Sequence, residues 1–409
     1  MGQNGEVEPL RWIDPPEGPA VALLDQTRLP HEEVTLVCRD VPSLVAAIKS
    51  LAVRGAPLLG IAGGYGVALA AALGADVPAA ADQLAHARPT AVNLGWAARR
   101  VLKAYTDGRA PADAGAVAEL DGLAEARAVA EARAVVEARG LTETGAVAEA
   151  GAFAGAGALA GAGGLAGAGA RAAADTLAAA RALAEAHAIA AEEAEASARM
   201  GAYGLTLVPE NARILTHCNA GALAAGGEGT ALALIVAAHR AGRLKHLWVD
   251  ETRPLLQGAR LTAYEARRHG IPYAVLPDNA AGSLFAAGEV DMVVVGADRI
   301  ARDHSVANKV GTYPLAVLAH HHGVPFVVVA PTSTVDPDAR TGGDIPIEQR
   351  AAEEVTSIAG KRMAPEGSAA YNPAFDVTPG DLVTAIVTER GVITRANGGN
   401  LGLPGGPED

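Results

Sequence analysis

Aromatic residues make up only 3% of this 409-residue chain, and cysteine occurs twice, at Cys38 and Cys218. Half of the residues are hydrophobic, so Ala, Val, Leu and Gly must build the interior, which predicts helices packed closely on a sheet. Two thiols so far apart make no disulfide framework, and a reducing compartment, the cytoplasm, is expected. No charged-then-apolar signal segment opens the sequence, and Glu6 stands where a myristoylation start wants Ser or Thr. Positive charge is also in deficit: 33 Lys and Arg face 46 Asp and Glu, a formal net charge of -13. That balance excludes a general nucleic-acid binder and a partner for anionic membranes. An anionic small molecule stays open, because exposed charges are screened beyond about 8–10 Å at physiological salt. Zinc-ligand spacing, a Walker loop and a GxSxG elbow are all missing from the sequence.

What is present reads as α/β: a helical N-terminal domain, 1–200, plus a Rossmann-like parallel-sheet C-terminal domain, 201–396, and a disordered Gly/Pro-rich tail, 397–409. Short extended pieces at 21–24 and 34–38 precede N-cap chemistry at Asp40 to Ser43, where a helix with Leu44, Ile48 and Leu51 on one face begins. Arg54-Gly55-Ala56-Pro57 breaks the pattern before a Gly-rich helix at 58–73. A further helix follows Arg88-Pro89-Thr90-Ala91-Val92-Asn93-Leu94, and a long one runs over 175–200. Strands are then expected at 213–216, 246–249, 273–276, 292–295 and 326–330, with helices at 231–241, 259–269 and 314–323 between them. Apolar runs alternating with helices imply a parallel sheet covered on both faces.

Residues 107–172 form a low-complexity Ala/Gly-rich insertion. Its uncharged part, 151–170, is long enough to span a bilayer, but Gly and Ala contribute little transfer energy and no aromatic belt flanks it. Gly155, Gly157 and Gly161 miss the dinucleotide-loop spacing by one residue, and no strand precedes them. An inserted loop with marginal helix is expected, since Gly costs about 1 kcal/mol per helical position relative to Ala.

The predicted strand exits carry polar residues: Cys218, Asp250 to Arg253, Asp278-Asn279, Asp298-Arg299 and Pro331-Thr332-Ser333. Open α/β sheets bind ligands at the carboxyl ends of their strands, although turns are polar in any case. Cys218 precedes a Gly-rich entry into a helix, where backbone N–H groups lower a thiol's pKa; it is otherwise a small buried hydrophobe. Asp298 follows an apolar strand, where desolvation keeps a carboxyl protonated and able to act as an acid; its other reading is a cap or an ion pair with Arg299. Lys309 beside Gly311, and Arg54 and Arg88 at structural breaks, are cations suited to a phosphate or merely solvated at the surface. His320-His321-His322 point in different directions, so no metal site is expected.

Together, Arg54-Gly55-Ala56-Pro57, Arg88-Pro89-Thr90-Ala91-Val92-Asn93-Leu94, Thr216-His217-Cys218-Asn219 and Glu251-Thr252-Arg253-Pro254-Leu255-Leu256-Gln257-Gly258 resemble the methylthioribose-1-phosphate isomerases. So do Gly296-Ala297-Asp298-Arg299, Asn308-Lys309-Val310-Gly311-Thr312 and the run from Tyr371 to Pro379. The likeness covers roughly 7–106 and 176–395 and leaves the insertion out. It implies an aldose–ketose isomerase of methionine salvage, a homodimer without cofactor or metal, acting on a sugar phosphate. By motif match it places Cys218 and Asp298 in catalytic positions, and Arg54, Gly55, Ala56, Arg88, Gln257, Asn308 and Lys309 in substrate-binding ones. Ala220, Glu228 and Ala280 depart from the Thr, Tyr and Met usual there.

In such a substrate the anomeric oxygen is locked as a phosphate ester, so ring opening needs an acid, the role implied for Asp298. Hydrogen must then pass from C2 to C1, either as a proton taken by a Cys218 thiolate or as a hydride. The resemblance also admits ribose-1,5-bisphosphate isomerase, which demands a second cationic cluster, and the non-catalytic regulatory subunits of translation initiation factor 2B. No second cluster is evident, and a regulatory subunit needs no reactive Cys and Asp together.

Overall fold

The computed structural model describes residues 7–88, 92–109, 164–358 and 360–394, with side chains in the helix beginning at Gly164 described from 174 onward. Most of the expected insertion and the whole expected tail lie outside the described residues. The chain divides into two compact units, Met1–Leu102 with Ala182–Asp409, and Lys103–Arg181. In the second, the described residues are helical and Arg109 pairs with Asp175 at 2.8 Å. The first holds the sheets and the cavity.

Three antiparallel strands open the chain: β1 (Leu10–Ile13), β2 (Ala20–Leu24) and β3 (Thr35–Cys38). The N-terminal region therefore carries a small sheet as well as helices, and β1 was not anticipated, its four residues being too short to show a period. Four helices follow: α1 (Val41–Lys49), α2 (Ala56–Ala72), α3 (Val77–Ala85) and α4 (Val92–Arg109). As its sequence predicts, α1 starts at Asp40, whose side chain accepts a hydrogen bond from the Ser43 N–H. Every residue of α2 from Ala56 to Ala71 is buried. A helix apolar on all sides is a core helix, and its glycines and alanines let neighbours such as Leu84 and Leu94 approach closely.

The long α5 (Gly164–Leu205) leads into β4 (Ala212–Thr216), α6 (Ala222–Ala225), α7 (Ala231–Arg240), β5 (Leu244–Asp250), α8 (Ala263–Arg268) and β6 (Tyr273–Leu276). Then come α9 (Ala281–Ala286), β7 (Met292–Val295), β8 (Arg299–Ile300), β9 (Val306–Lys309), α10 (Thr312–His321) and β10 (Phe326–Val329). The chain continues through α11 (Glu353–Thr356), β11 (Ser357–Ile358), β12 (Lys361–Arg362), β13 (Phe375–Thr378), β14 (Ala385–Thr388) and β15 (Gly391–Thr394). All five strands expected in the C-terminal region form. Their sheet has the order β15-β14-β10-β7-β4-β5-β6, parallel throughout except for β15. Strand order reverses between β4 and β7, which makes that junction the topological switch point.

The sheet is covered on both faces. Ile214, Leu247, Val249, Val294 and Val329 face α5 and α7 through Met200, Leu232 and Ile235. Leu215, Val293, Val295 and Val328 face α9 and α10 through Phe285, Leu315 and Ala316. Val293, Val294 and Val295 are all fully buried, and each contributes roughly 1.5–3 kcal/mol by leaving water. A second small antiparallel sheet, β8-β9-β13, stands beside the main one. It places Asn308 and Lys309 on a buried strand, to which the sequence reading assigned no element.

One polar cluster links α5 to the loop after β10. The Glu193 carboxylate accepts from Ser333 Oγ at 3.1 Å, and Ser333 Oγ accepts from Asn93 Nδ2 at 3.0 Å. Burial pushes the Glu193 carboxyl up to about 7. The folded state thus holds a proton that the unfolded chain, with an ordinary carboxyl near 4.5, has released. The folded form binds the extra proton across this window, so this contribution to stability is lost as pH rises from about 4.5 to about 7. Glu193→Gln removes the titration. Urea unfolding at about pH 5 and about pH 7.5 is expected to show the variant gaining on the parent at the higher pH, on the order of 1 kcal/mol per pH unit. A stability difference independent of pH refutes the assignment.

Candidate active site at the switch point

Cys218 sits two residues beyond β4 in a left-handed turn (φ 63°). Its N–H donates to Thr252 Oγ1 at 2.8 Å, and its carbonyl accepts from Thr262 Oγ1 at 2.6 Å. Two hydroxyls thus fix the peptide groups of a strained residue, leaving the thiol to line a cavity. Thr252 is itself left-handed (φ 66°), and the Asp278 carboxylate holds it by accepting from the Thr252 and Arg253 N–H groups, each at 2.7 Å. Asp278 and Thr252, singled out as polar strand-exit residues, are therefore supports of the turn.

His217 is not among the residues that line the cavity. Its Nδ1 lies 2.9 Å from Asp250 Oδ2 and its Nε2 2.9 Å from the Val310 carbonyl. His217, Asp250 and Asp278 bring ligand-type atoms within 4.8 Å of one another. Both ring nitrogens and the Asp278 carboxylate already have partners, and the group reads as an internal brace.

Asp298 follows β7 through Gly296-Ala297, across the switch point from Cys218. Desolvation raises its carboxyl, against the pull of Lys309, Arg88 and Arg54, which agrees with an acid that keeps its proton. Arg299, its neighbour, bonds Asp336 at 3.1 Å. Of the two readings of Cys218, the lowered thiol pKa does not hold. Burial raises it, Arg54 and Lys309 only partly offsetting the effect. The helix that follows is four residues long, too short to supply a useful dipole. The thiol of the free protein is neutral at about pH 7.

Lys309 is buried, its Nζ 5.2 Å from the centre of the Phe375 ring. Desolvation lowers its pKa, while Cys218 and Asp298 favour its charge. The N-terminus of α10 beside it is already taken, because Asp376 accepts from the Gly311 and Tyr313 N–H groups at 2.7 and 3.1 Å. An anion is left with the side chain of Lys309, not with that helix end. Helix α2 is different: it begins at Gly55 with no side-chain cap, and of its first residues Ala56 brings a backbone N–H to the cavity, Pro57 having none. Gly55 has φ 93°, and a Cβ there would lie 2.3 Å from the Ala224 carbonyl oxygen. Only glycine permits that approach.

All nine residues expected at the site, Arg54, Gly55, Ala56, Arg88, Cys218, Gln257, Asp298, Asn308 and Lys309, line this one cavity. Arg54 Nε and Gln257 Oε1 are buried with no hydrogen-bond partner among the described residues, a mark of groups that await a ligand. Of the three departures noted in the sequence, Ala220 lines the cavity and Glu228 pairs with Arg240 at 2.5 Å. Ala280 ends a short turn after β6.

Sequence reasoning missed Arg350, Thr230 and Phe375, which also line the cavity. Arg350 bonds Glu348 at 2.8 Å and Glu354 at 2.9 Å, and Glu348 also bonds Arg88 at 3.2 Å. It lies in an irregular loop with no periodicity or Gly signature to mark it.

A neutral thiol in a dry, cationic wall has a measurable signature. Alkylation of Cys218 by iodoacetamide is expected to be slow at about pH 7 and to climb through and beyond about pH 9. Lys309→Met is expected to move the curve to still higher pH. A rate already at its plateau by about pH 7 contradicts this electrostatic reading.

Comparison with known proteins gives a consistent picture. Residues 52–395 match the model of the initiation factor 2 subunit family. The methylthioribose-1-phosphate isomerase of Pelotomaculum thermopropionicum is 44% identical over 404 residues, 97% of this chain and 93% of that protein. That of Anaeromyxobacter dehalogenans is 47% identical over 384 residues, 93% of each. Among solved structures, 5-methylthioribose 1-phosphate isomerase from Pyrococcus horikoshii OT3 superposes with a TM-score of 0.72 at 36% identity, covering 96% of this chain and 93% of that one. A structure titled translation initiation factor eIF-2B, subunit delta, from A. fulgidus gives 0.70 at 35%, covering 97% and 98%.

Proposed function

The chain belongs to the initiation factor 2 subunit family, among its methylthioribose-1-phosphate isomerases, and from that premise we propose that Cys218 and Asp298 are its catalytic pair. The reaction is the conversion of 5-methylthioribose 1-phosphate into 5-methylthioribulose 1-phosphate in methionine salvage. One observation carries the residue assignment: a thiol and a raised carboxyl flank the switch point in a cavity with Arg54, Arg88 and Lys309.

Asp298, its carboxyl raised by desolvation, donates its proton to the ring oxygen as the C1–O4 bond breaks, and C1 becomes electron-poor. Hydrogen then passes from C2 to C1. In the proton route the thiolate form of Cys218 takes H⁺ from C2, the released pair forms C1=C2, and return of that proton to C1 as the C2 hydroxyl proton passes to the Asp298 carboxylate yields the ketone. In the hydride route the hydrogen carries its pair to C1 directly, and the C2 hydroxyl proton returns to the Asp298 carboxylate. The phosphate lies against Arg54 and the uncapped start of α2, with Lys309 nearby. Gln257 and Asn308 meet the sugar hydroxyls.

Two further expectations belong to this reading. The two unpaired, buried thiols suit the reducing cytoplasm. The enzyme is a homodimer, in keeping with the exposure of Tyr313 and Val317 one turn apart on α10. Light scattering on the eluting protein is expected to give twice 41.1 kDa; a mass of 41.1 kDa at micromolar concentration removes the dimer.

Cys218→Ala and Asp298→Asn are each expected to lower kcat by roughly 10³-fold or more with the melting temperature unchanged. Near-parental turnover in either variant takes that residue out of the mechanism. With substrate deuterated at C2, exchange of label into solvent identifies the proton route, and complete retention the hydride route.

A further inference from the structure

Arg54 does not reach the cavity unsupported. Its Nη1 donates to the Asn219 carbonyl at 3.1 Å, and its Nη2 donates to Asn219 Oδ1. A guanidinium has only donors, so Asn219 must turn its oxygen towards Arg54 and its Nδ2 the other way. There Nδ2 donates to Glu265 Oε1 at 2.9 Å and to Thr262 Oγ1 at 3.2 Å. The Glu265 carboxylate, fully enclosed, also accepts from the Ala222 N–H at 2.7 Å (Oε2) and the Leu223 N–H at 3.4 Å (Oε1). It approaches so closely that a Cβ on Gly221 would lie 2.0 Å from Glu265 Oε2.

The polarity of this chain of bonds is fixed at both ends. Arg54 can only donate at one end, and the backbone N–H of Ala222 can only donate at the other. A group between them must accept on both of its atoms, which a carboxylate does and a carboxamide does not. Ala222 cannot turn round. A glutamine in place of Glu265 would keep its oxygen on Ala222 and present its NH₂ to Asn219. Asn219 would then have to flip, setting its own NH₂ against the guanidinium.

We propose that Glu265 is a positioning residue that holds Arg54 in its phosphate-gripping pose through the amide of Asn219. The proposal rests on the reading above that Arg54 binds the phosphate. It assigns a task to a side chain that touches no substrate, and it explains why Gly221 and Asn219 accompany Cys218 in the turn after β4.

The test is binding of inorganic phosphate to the full chain at about pH 8, followed by phosphorus NMR titration. Arg54→Gln and Glu265→Gln are each expected to weaken phosphate about tenfold or more, the scale of one lost charge-assisted contact. The double variant Asn219→Asp with Glu265→Gln restores the polarity, since the carboxylate it puts in place of the Asn219 amide accepts from both neighbours. It is expected to return within about threefold of the parent. In turnover, Glu265→Gln raises KM by more than it lowers kcat, as loss of a grip on the unreacting phosphate requires. Parental affinity in Glu265→Gln beside a weakened Arg54→Gln overturns the proposal, as does a double variant no better than the single one. Parental affinity in Arg54→Gln instead overturns the phosphate reading of Arg54. Should Glu265→Gln alone fail to fold, the double variant is compared with Arg54→Gln directly, and equal weakness in the two rejects the relay.

Discussion

The parallel pairing of β4 with β7, Ile214 opposite Met292 and Leu215 opposite Val293, is the constraint from which the site follows. It sets the exits of two strands that are distant in sequence side by side at the one place where strand order reverses. A one-residue slip in either strand would exchange the faces of its side chains and bury Val294 where Val293 belongs. The apolar layers on both sides of the sheet therefore enforce the register, and the register delivers Cys218 and Asp298 to the same cavity.

The electrostatics of that cavity depend on dryness more than on any single ion pair. Desolvation is the largest influence on Cys218, Asp298, Lys309 and Glu265 alike. It pushes both acids and the thiol towards their neutral forms and Lys309 in the same direction. A phosphate dianion entering beside Arg54 and Lys309 changes the balance, because it stabilises the cations and leaves Asp298 as proton donor rather than counterion. A braced backbone must keep these groups in place, since few of them hold one another. The left-handed turns at Cys218 and Thr252, tied by Thr262 and Asp278, supply that brace.

How much was legible in the sequence follows from range. The strands of the main sheet announce themselves as runs such as Met292 to Val295, and the N-cap at Asp40 is a local signal. Cys218 and Asp298 stand out because a reactive residue directly follows an apolar run. Arg54 and Arg88 stand at structural breaks, and the motif resemblance supplied Gln257, which no periodicity marks. Residues whose meaning is set by distant partners stayed hidden. Glu265 reads as an exposed position of a charged helix, yet a turn of π-helix at Gly258–Thr262 aims it inward at Asn219. Strand β9 was not expected, and its pairing with β13 joins segments far apart in the chain. The two readings of Cys218 part for a related reason: the local Gly-rich motif suggests a lowered pKa, while burial by the whole fold decides the outcome.

The same accounting of charge separates this isomerase from one acting on a bisphosphate. Four cations line the cavity, Arg54, Arg88, Lys309 and Arg350, one more than the sequence suggested. A second phosphate needs cations with charge to spare. Arg350 is held by Glu348 and Glu354, and Arg88 shares Glu348, so that side of the cavity is close to neutral before any ligand arrives. Turning those arginines to a second phosphate would leave Glu348 facing the new anion, an arrangement disfavoured in a poorly solvated wall. The lining also includes Leu51, Ala224, Ala225, Leu255 and Phe375. Those side chains accept a thioether at no electrostatic cost and offer a phosphate nothing. Uncompensated cations among apolar side chains fit a substrate that carries one phosphate and one methylthio group.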